Sequence, residues 1–157
     1  MRMKPSRLSR KQVYFRDLLA AGTAATLVSG IPSTVYAWLS GGDPLEASRA
    51  AGAMLIPAGS PLTQLLVAAA IVHVAVSFFW AAILVAVLPR THILVSATAA
   101  AALIGFIDLR LIAPPLFPEV AALAFVPQMA DHLMWGASLG WVLARRSRIE
   151  KAVASCG

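Results

Sequence analysis

The chain has 157 residues, of which 59% are hydrophobic and 13% are charged, whereas soluble domains average about 45–50% and about 25%. A soluble domain of this length has too little interior to bury so much apolar surface. The composition therefore excludes an ordinary soluble enzyme, a disordered chain and a disulfide-rich secreted module, since the single cysteine, Cys156, cannot form an internal disulfide. It predicts an integral membrane protein.

The positive charge is concentrated at the two ends of the chain. The net charge is +6, and no recognisable nucleic-acid-binding motif accompanies it. The flanking Lys and Arg residues are Arg2, Lys4, Arg7, Arg10, Lys11 and Arg16 before the first apolar run, and Arg145, Arg146, Arg148 and Lys151 after the last. Such clusters are typical of residues that set membrane topology and lie against anionic headgroups, so we expect no nucleic-acid partner.

Four stretches have the roughly 20 apolar residues that a helix needs to cross the hydrocarbon. They predict an all-α four-helix membrane bundle with spans at about 18–39, 62–88, 93–113 and 123–144. Residues 1–17 form a basic N-terminal segment, and residues 145–157 form a basic tail. The breaks between spans contain helix-disrupting prolines, namely Pro57, Pro61, Pro114, Pro115 and Pro118.

The distribution of Lys and Arg between the loops predicts the orientation. With both termini in the cytoplasm, Arg90 also falls on that side, and Arg49 alone lies in an outer loop, with Arg110 near the outer border. A competing interpretation is a signal peptide cleaved after Ala37, which would leave three spans. We expect the first run to be retained, because it is long enough to span the membrane.

The first outer loop contains a helix-start pattern, Asp43-Pro44-Leu45-Glu46. An acid at the N-cap, proline next and glutamate third make an Asp-led capping box. We therefore predict a short helix from Pro44 to about Leu55 that lies in the outer interface or plugs the mouth of the bundle.

Polar residues inside the spans are costly to place in hydrocarbon and are therefore the informative ones. Counting from the span ends places all of them between the midplane and the outer border: His73, Asp108, Arg110, Asp131 and His132. We expect Arg110 to extend to the outer headgroups. The others predict an intramembrane network of His73, Asp108, Asp131 and His132, with Asp43 and Arg49 as loop partners.

These residues leave three classes of function open. The first is an accessory or structural membrane protein, packed against a partner or against itself, whose polar network holds the helices in register. The second is a small oligomeric proton-coupled transporter or channel. The third is a haem-binding protein with His73 and His132 as axial ligands. No catalytic or metal-binding motif occurs, and Ser77, His132 and Asp108 lack any motif that would position them as a triad, so we expect neither an enzyme nor a metal site.

Small residues recur at spacings that allow close approach of helices. Gly136 and Gly140 form a GxxxG pattern in the fourth span, and Gly22 and Gly30 lie eight apart in the first. We expect these faces to be packing seams or oligomer contacts. Pro32 is expected to kink the first span.

The segment Asp43-Pro44-Leu45-Glu46-Ala47-Ser48-Arg49-Ala50-Ala51-Gly52, together with His73 and Pro127-Gln128-Met129-Ala130-Asp131-His132, carries a family resemblance. The chain resembles small four-helix bacterial inner-membrane proteins of the YagU-like group. The resemblance covers most of the chain through short motifs. It implies a bacterial inner membrane and a four-helix fold, and it implies no activity.

Overall fold

The computed structural model describes residues 9–155, and side chains are described as far as residue 149 with the exception of Arg10. Arg2, Lys4, Arg7 and Cys156 lie outside the described residues, and so does the side chain of Lys151. All regular secondary structure in the described part is helical. Its helices are α1 (Arg10–Val28), α2 (Ile31–Leu39), α3 (Glu46–Gly52), α4 (Leu62–Val87), α5 (Ile93–Ile107), a π-helical turn (Asp108–Ile112), α6 (Ala113–Leu116), α7 (Pro118–Ala121) and α8 (Phe125–Ser155).

Three helical segments in the described residues are long and apolar enough to cross a membrane. They are Lys11–Leu39, which joins α1 and α2, Leu62–Val87, which is α4, and Ile93–Leu116, which runs from α5 through α6. These segments identify a membrane protein and agree with the first three predicted spans. The helix that contains the fourth, α8, has 31 residues but is less apolar and is not among them.

The long helices pack side by side in the order α4, α1, α8, α5. The most extensive contact is between α5 and α8, and α1 lies between α8 and α4. In the described part of the chain, α4 and α5 follow each other in sequence but do not pack along their lengths. The helix with the most polar span, α8, is therefore an inner member of the row.

Alanine and glycine allow these helices to approach closely. The buried cluster at their centre includes Ala21, Ala25, Ala97 and Ala101, with Leu139 as its largest fully buried side chain. Because these side chains are small, backbone atoms of neighbouring helices come near one another, as is common in membrane bundles.

Three of the four predicted packing glycines lie where a neighbouring helix or its side chain leaves little room for a Cβ atom. A Cβ on Gly136 would come within 2.4 Å of the Ala101 Cβ, and one on Gly140 within 2.7 Å of the Leu94 Cα. A Cβ on Gly22 would lie 3.0 Å from the Phe78 ring. At Gly30 it would meet no described atom within 4 Å. Gly30 instead lies where the first span breaks.

The first span is interrupted at Ser29–Gly30, where α1 ends and α2 begins. Pro32 occupies the first turn of α2, a position where its missing N–H is tolerated. The predicted kink is therefore a short break, and it leaves backbone groups of both helix ends without partners in their own helix.

The third span continues past the predicted proline stop. The backbone N–H of Ala113 donates to the Asp108 carbonyl, which is the five-residue bond of a π-turn. In an α-helix, a proline ring clashes with the carbonyl four residues earlier. A wider turn gives the rings of Pro114 and Pro115 more room, and neither residue needs a backbone acceptor because proline has no N–H. The helix thus reaches Leu116, and the predicted turn begins only at Phe117.

The predicted outer-loop helix is present as α3, shorter than expected at both ends. It packs against α4 and also touches α7. Gly52 makes the approach possible, because a Cβ there would lie 2.2 Å from the Leu65 carbonyl oxygen. The helix therefore rests on the bundle.

Candidate functional site

The break in the first span is closed by an acid from another helix. The Asp131 side chain on α8 accepts a hydrogen bond of 2.9 Å from the backbone N–H of Ser33. That N–H belongs to the first turn of α2, and the N-cap residue Gly30 has no side chain to accept it. Asp131 therefore caps α2 from α8, where its negative charge also suits the positive end of the helix dipole.

The other side of the break is closed by His73 on α4. Its Nε2 lies 2.9 Å from the carbonyl oxygen of Thr26, in the last turn of α1, and 3.3 Å from the Ser29 hydroxyl. A carbonyl only accepts, so Nε2 carries a proton and donates it. His73 therefore supplies the donor that the C-terminal end of α1 lacks.

A second polar pair joins the fourth and third predicted spans. The Nε2 of His132 lies 3.4 Å from Asp108 Oδ2, and its Nδ1 lies 3.0 Å from the Gln128 carbonyl oxygen. Nδ1 must donate to the carbonyl, so a hydrogen bond between Nε2 and the carboxyl requires one more proton, on either partner. The two atoms are thus close enough for a proton to be exchanged between them.

Close packing fixes that pair in place. The imidazole of His132 lies against Gly105 on α5, where a Cβ would come within 2.7 Å of His132 Cγ. Asp108 is the first residue of the π-turn, a feature often found at functional sites. Both side chains remain about one quarter exposed, at 27% for His132 and 25% for Asp108.

The four predicted network residues thus form two groups. Asp131 and His73 hold the break in the first span, and Asp108 and His132 form the pair beside it. No hydrogen bond between described residues joins the two groups directly, although Asp131 and His132 are neighbours in sequence.

The predicted loop partners, Asp43 and Arg49, bind each other. They form a salt bridge, and Asp43 also accepts the backbone N–H of Leu45 at 2.8 Å. Both residues are well exposed, and no hydrogen bond or ion pair among the described residues links them to the four predicted network residues. The pair organises the start of α3.

We expect the pKa of Asp43 to lie below its ordinary value, because the Leu45 N–H stabilises the carboxylate and Arg49 adds to the effect. A lowered folded-state pKa gives stability that is present above the unfolded pKa and lost as the pH falls through the folded one. NMR titration of Asp43 tests this, and Arg49→Gln should move the pKa up. A pKa that Arg49→Gln leaves unmoved would assign the shift to the backbone contact alone.

Sequence analysis missed an ion triad at the opposite end of the bundle. Asp17 on α1 is 5% exposed. It accepts hydrogen bonds of 2.7 Å from Arg146 Nε on α8 and 3.3 Å from Arg90 in the α4–α5 turn. The sequence predicts no role for Asp17 beyond the basic segment of residues 1–17. The available signal was that it is the only acidic residue before Asp43, within a run of cations.

The geometry does not fit haem. An axial ligand needs a free imidazole nitrogen, and both ring nitrogens of His132 are engaged, with Gln128 and with Asp108. The Nε2 of His73 is in use as well, and its Nδ1 alone has no partner among the described residues, so the two histidines do not both offer an axial nitrogen. The described residues contain no group of three or more His, Cys, Asp or Glu side chains that could hold a metal ion.

Comparisons of the chain with protein-family models, curated proteins and solved structures gave no match. The resemblance to the YagU-like group therefore stays an expectation from the sequence.

Proposed function

We propose that the chain is a four-span accessory or structural protein of the bacterial inner membrane, whose intramembrane polar residues hold its helices in register. The observation that carries the proposal is the closure of the α1–α2 break by side chains of this chain itself. Asp131 and His73 satisfy backbone groups that a transported ion or substrate would otherwise contact in a discontinuous helix.

The position of α8 supports a fourth span. An inner helix of the row, packed between α1 and α5, exposes less of its surface to lipid than the outer helices do. Its Asp131 and His132 bond to neighbouring helices rather than facing lipid. Lower hydropathy is therefore compatible with a membrane-crossing position for this helix.

The ion triad supports an orientation with both termini in the cytoplasm. The triad gathers the start of α1, the α4–α5 turn and the C-terminal half of α8 at one end of the bundle. In the proposed topology all three are cytoplasmic, as the excess of Lys and Arg there requires.

His73 supports a partner in the membrane, either another copy or a different protein. Its side chain is exposed on α4, and its Nδ1 has no hydrogen-bond partner among the described residues. An exposed polar nitrogen at the depth expected for His73 is costly in lipid. A contacting protein would remove that cost.

The direct test is Asp131→Ala in the purified full chain. Loss of the cap should lower the free energy of unfolding by about 1–2 kcal/mol, because the Ser33 N–H is left without an acceptor. Asp131→Asn retains an acceptor oxygen and should lose less. Thermal unfolding in mild detergent measures both, and pull-down from membranes reports whether a stoichiometric partner is lost with stability.

The matched control is Glu119→Gln, an exposed acid on α7, which should leave stability unchanged. An Asp131→Ala variant as stable as the parent, but with proton flux lost in liposomes, would overturn the structural proposal.

One observation favours proton transfer as a second candidate function, namely the distance of 3.4 Å between His132 Nε2 and Asp108 Oδ2. Both groups are partly exposed, and histidine and aspartate are usual components of proton relays. In this case Asp108→Asn should abolish proton flux into liposomes while the chain stays folded. Absence of flux in the parent protein would dismiss this candidate.

A further inference from the structure

An open groove runs along the surface of α8, on the side shared with α5. Its volume is about 630 Å³, and its lining includes Leu94, Thr98, Ala130, Ala137 and Trp141. The lining is mostly apolar: the Thr98 hydroxyl already donates to the Leu94 carbonyl at 2.8 Å, and Ser138 supplies the other hydroxyl. The groove therefore offers little hydrogen bonding to an occupant.

The groove is about as long as one leaflet of a bilayer is thick, and in the proposed topology its Ala130 end lies slightly on the outer side of the midplane. Ala130 and Trp141 are eleven residues apart on α8, which is about 17 Å at the helical rise. Half of a hydrocarbon core is about 15 Å. In the proposed topology the Trp141 end lies at the cytoplasmic border, which is the level where tryptophan is enriched.

The same face of α8 continues into two arginines. Trp141, Arg145 and Arg148 follow at intervals of four and three residues, so they lie on one side of the helix. The guanidinium of Arg145 lies over the Trp141 ring at 4.3 Å. None of the ion pairs among the described residues includes Arg145 or Arg148.

We propose that this groove binds an anionic phospholipid of the cytoplasmic leaflet, with an acyl chain along α8 and the phosphate at Arg145 and Arg148. The positive charge of the two arginines favours a phospholipid over a second copy of the chain as the occupant. A second copy related by a two-fold axis along the membrane normal would bring like-charged arginines together. A phosphate instead offers the paired acceptors that arginine binds well. The inference rests on the proposed four-span topology.

The test measures lipid binding to the full chain in mild detergent, by native mass spectrometry and thermal unfolding with phosphatidylglycerol or phosphatidylcholine. We expect tighter binding of phosphatidylglycerol. Arg145→Gln with Arg148→Gln should weaken that binding by about fivefold for each arginine and leave phosphatidylcholine unaffected. Ala137→Phe, which fills the groove, should weaken both lipids.

The control is Lys11→Gln with Arg16→Gln, which removes two exposed charges from the start of α1. In the proposed topology these charges lie on the cytoplasmic side, like Arg145 and Arg148. An equal loss of phosphatidylglycerol binding in this control would overturn the proposal, because it would indicate general attraction. A dimer that Ala137→Phe dissociates without changing lipid binding would assign the groove to a second copy. Circular dichroism reports whether Ala137→Phe folds. If it does not, the arginine variants still test the proposal.

Labelling of Cys156 in sealed inverted vesicles separates this inference from the proposed function. Labelling from the cytoplasmic side without lipid preference would defeat the lipid site alone. Labelling from the opposite side only would defeat the four-span topology, and the lipid proposal with it.

Discussion

Replacement of Arg146 by glutamine is expected to destabilise the protein by about 3 kcal/mol. The reason is that Asp17 is buried and Arg146 provides its shorter hydrogen bond, at 2.7 Å, whereas Arg90 lies at 3.3 Å and is 44% exposed. Loss of Arg146 leaves the buried carboxylate of Asp17 with Arg90 alone, whose hydrogen bond is longer and whose charge is screened by solvent. Denaturant-induced unfolding in mixed micelles measures the effect.

The neighbouring Arg145 provides the matched control. It has the same charge and lies one position away, but it is exposed, stacks on the Trp141 ring and is in no ion pair among the described residues. Arg145→Gln should therefore change stability by less than about 0.5 kcal/mol. An equal loss of stability in the two variants would show that the hydrogen bond from Arg146 to Asp17 does not stabilise the protein.

Replacement of Gly136 by leucine is the second change with a large expected effect, about 3 kcal/mol or more. Even a methyl group there would come within 2.4 Å of the Ala101 Cβ and 2.7 Å of the Ala97 carbonyl oxygen. The α5–α8 contact, the most extensive in the row, would have to open. Thermal unfolding and gel filtration in detergent report the loss.

Gly30 supplies the control for the loss of a glycine. No described atom lies within 4 Å of its hypothetical Cβ, and its φ of −80° suits alanine. Gly30→Ala should therefore be near neutral, whereas Gly136→Ala should already be destabilising. If Gly136→Ala is tolerated as well as Gly30→Ala, the close approach of α5 and α8 is not obligatory.

The spans were predictable because hydropathy is a local property. The long uncharged runs place three helices close to their observed bounds. The pattern at Asp43 to Glu46 likewise located α3 within a few residues, but the predicted capping box is absent: α3 begins after Leu45 without a side-chain cap, and Asp43 instead accepts the Leu45 N–H.

The end of the third span was predicted wrongly from its prolines. Pro114 and Pro115 predicted the end of the third span, yet the helix passes through them directly after the π-turn Asp108–Ile112. A wider turn gives proline rings more room than an α-helical one. A π-turn has no strong sequence signal. Its presence depends on how α5 and α8 fit around Gly105 and His132.

By itself the sequence determined that this is a membrane protein, where its apolar helices lie and which intramembrane side chains are costly. Only the tertiary structure decided how those side chains are used. Ser33 and Asp131 are 98 residues apart, and Asp17 and Arg146 are 129 apart. Such partners are chosen by the rotation and packing of whole helices, because a polar group buried away from water must find its partner within the protein.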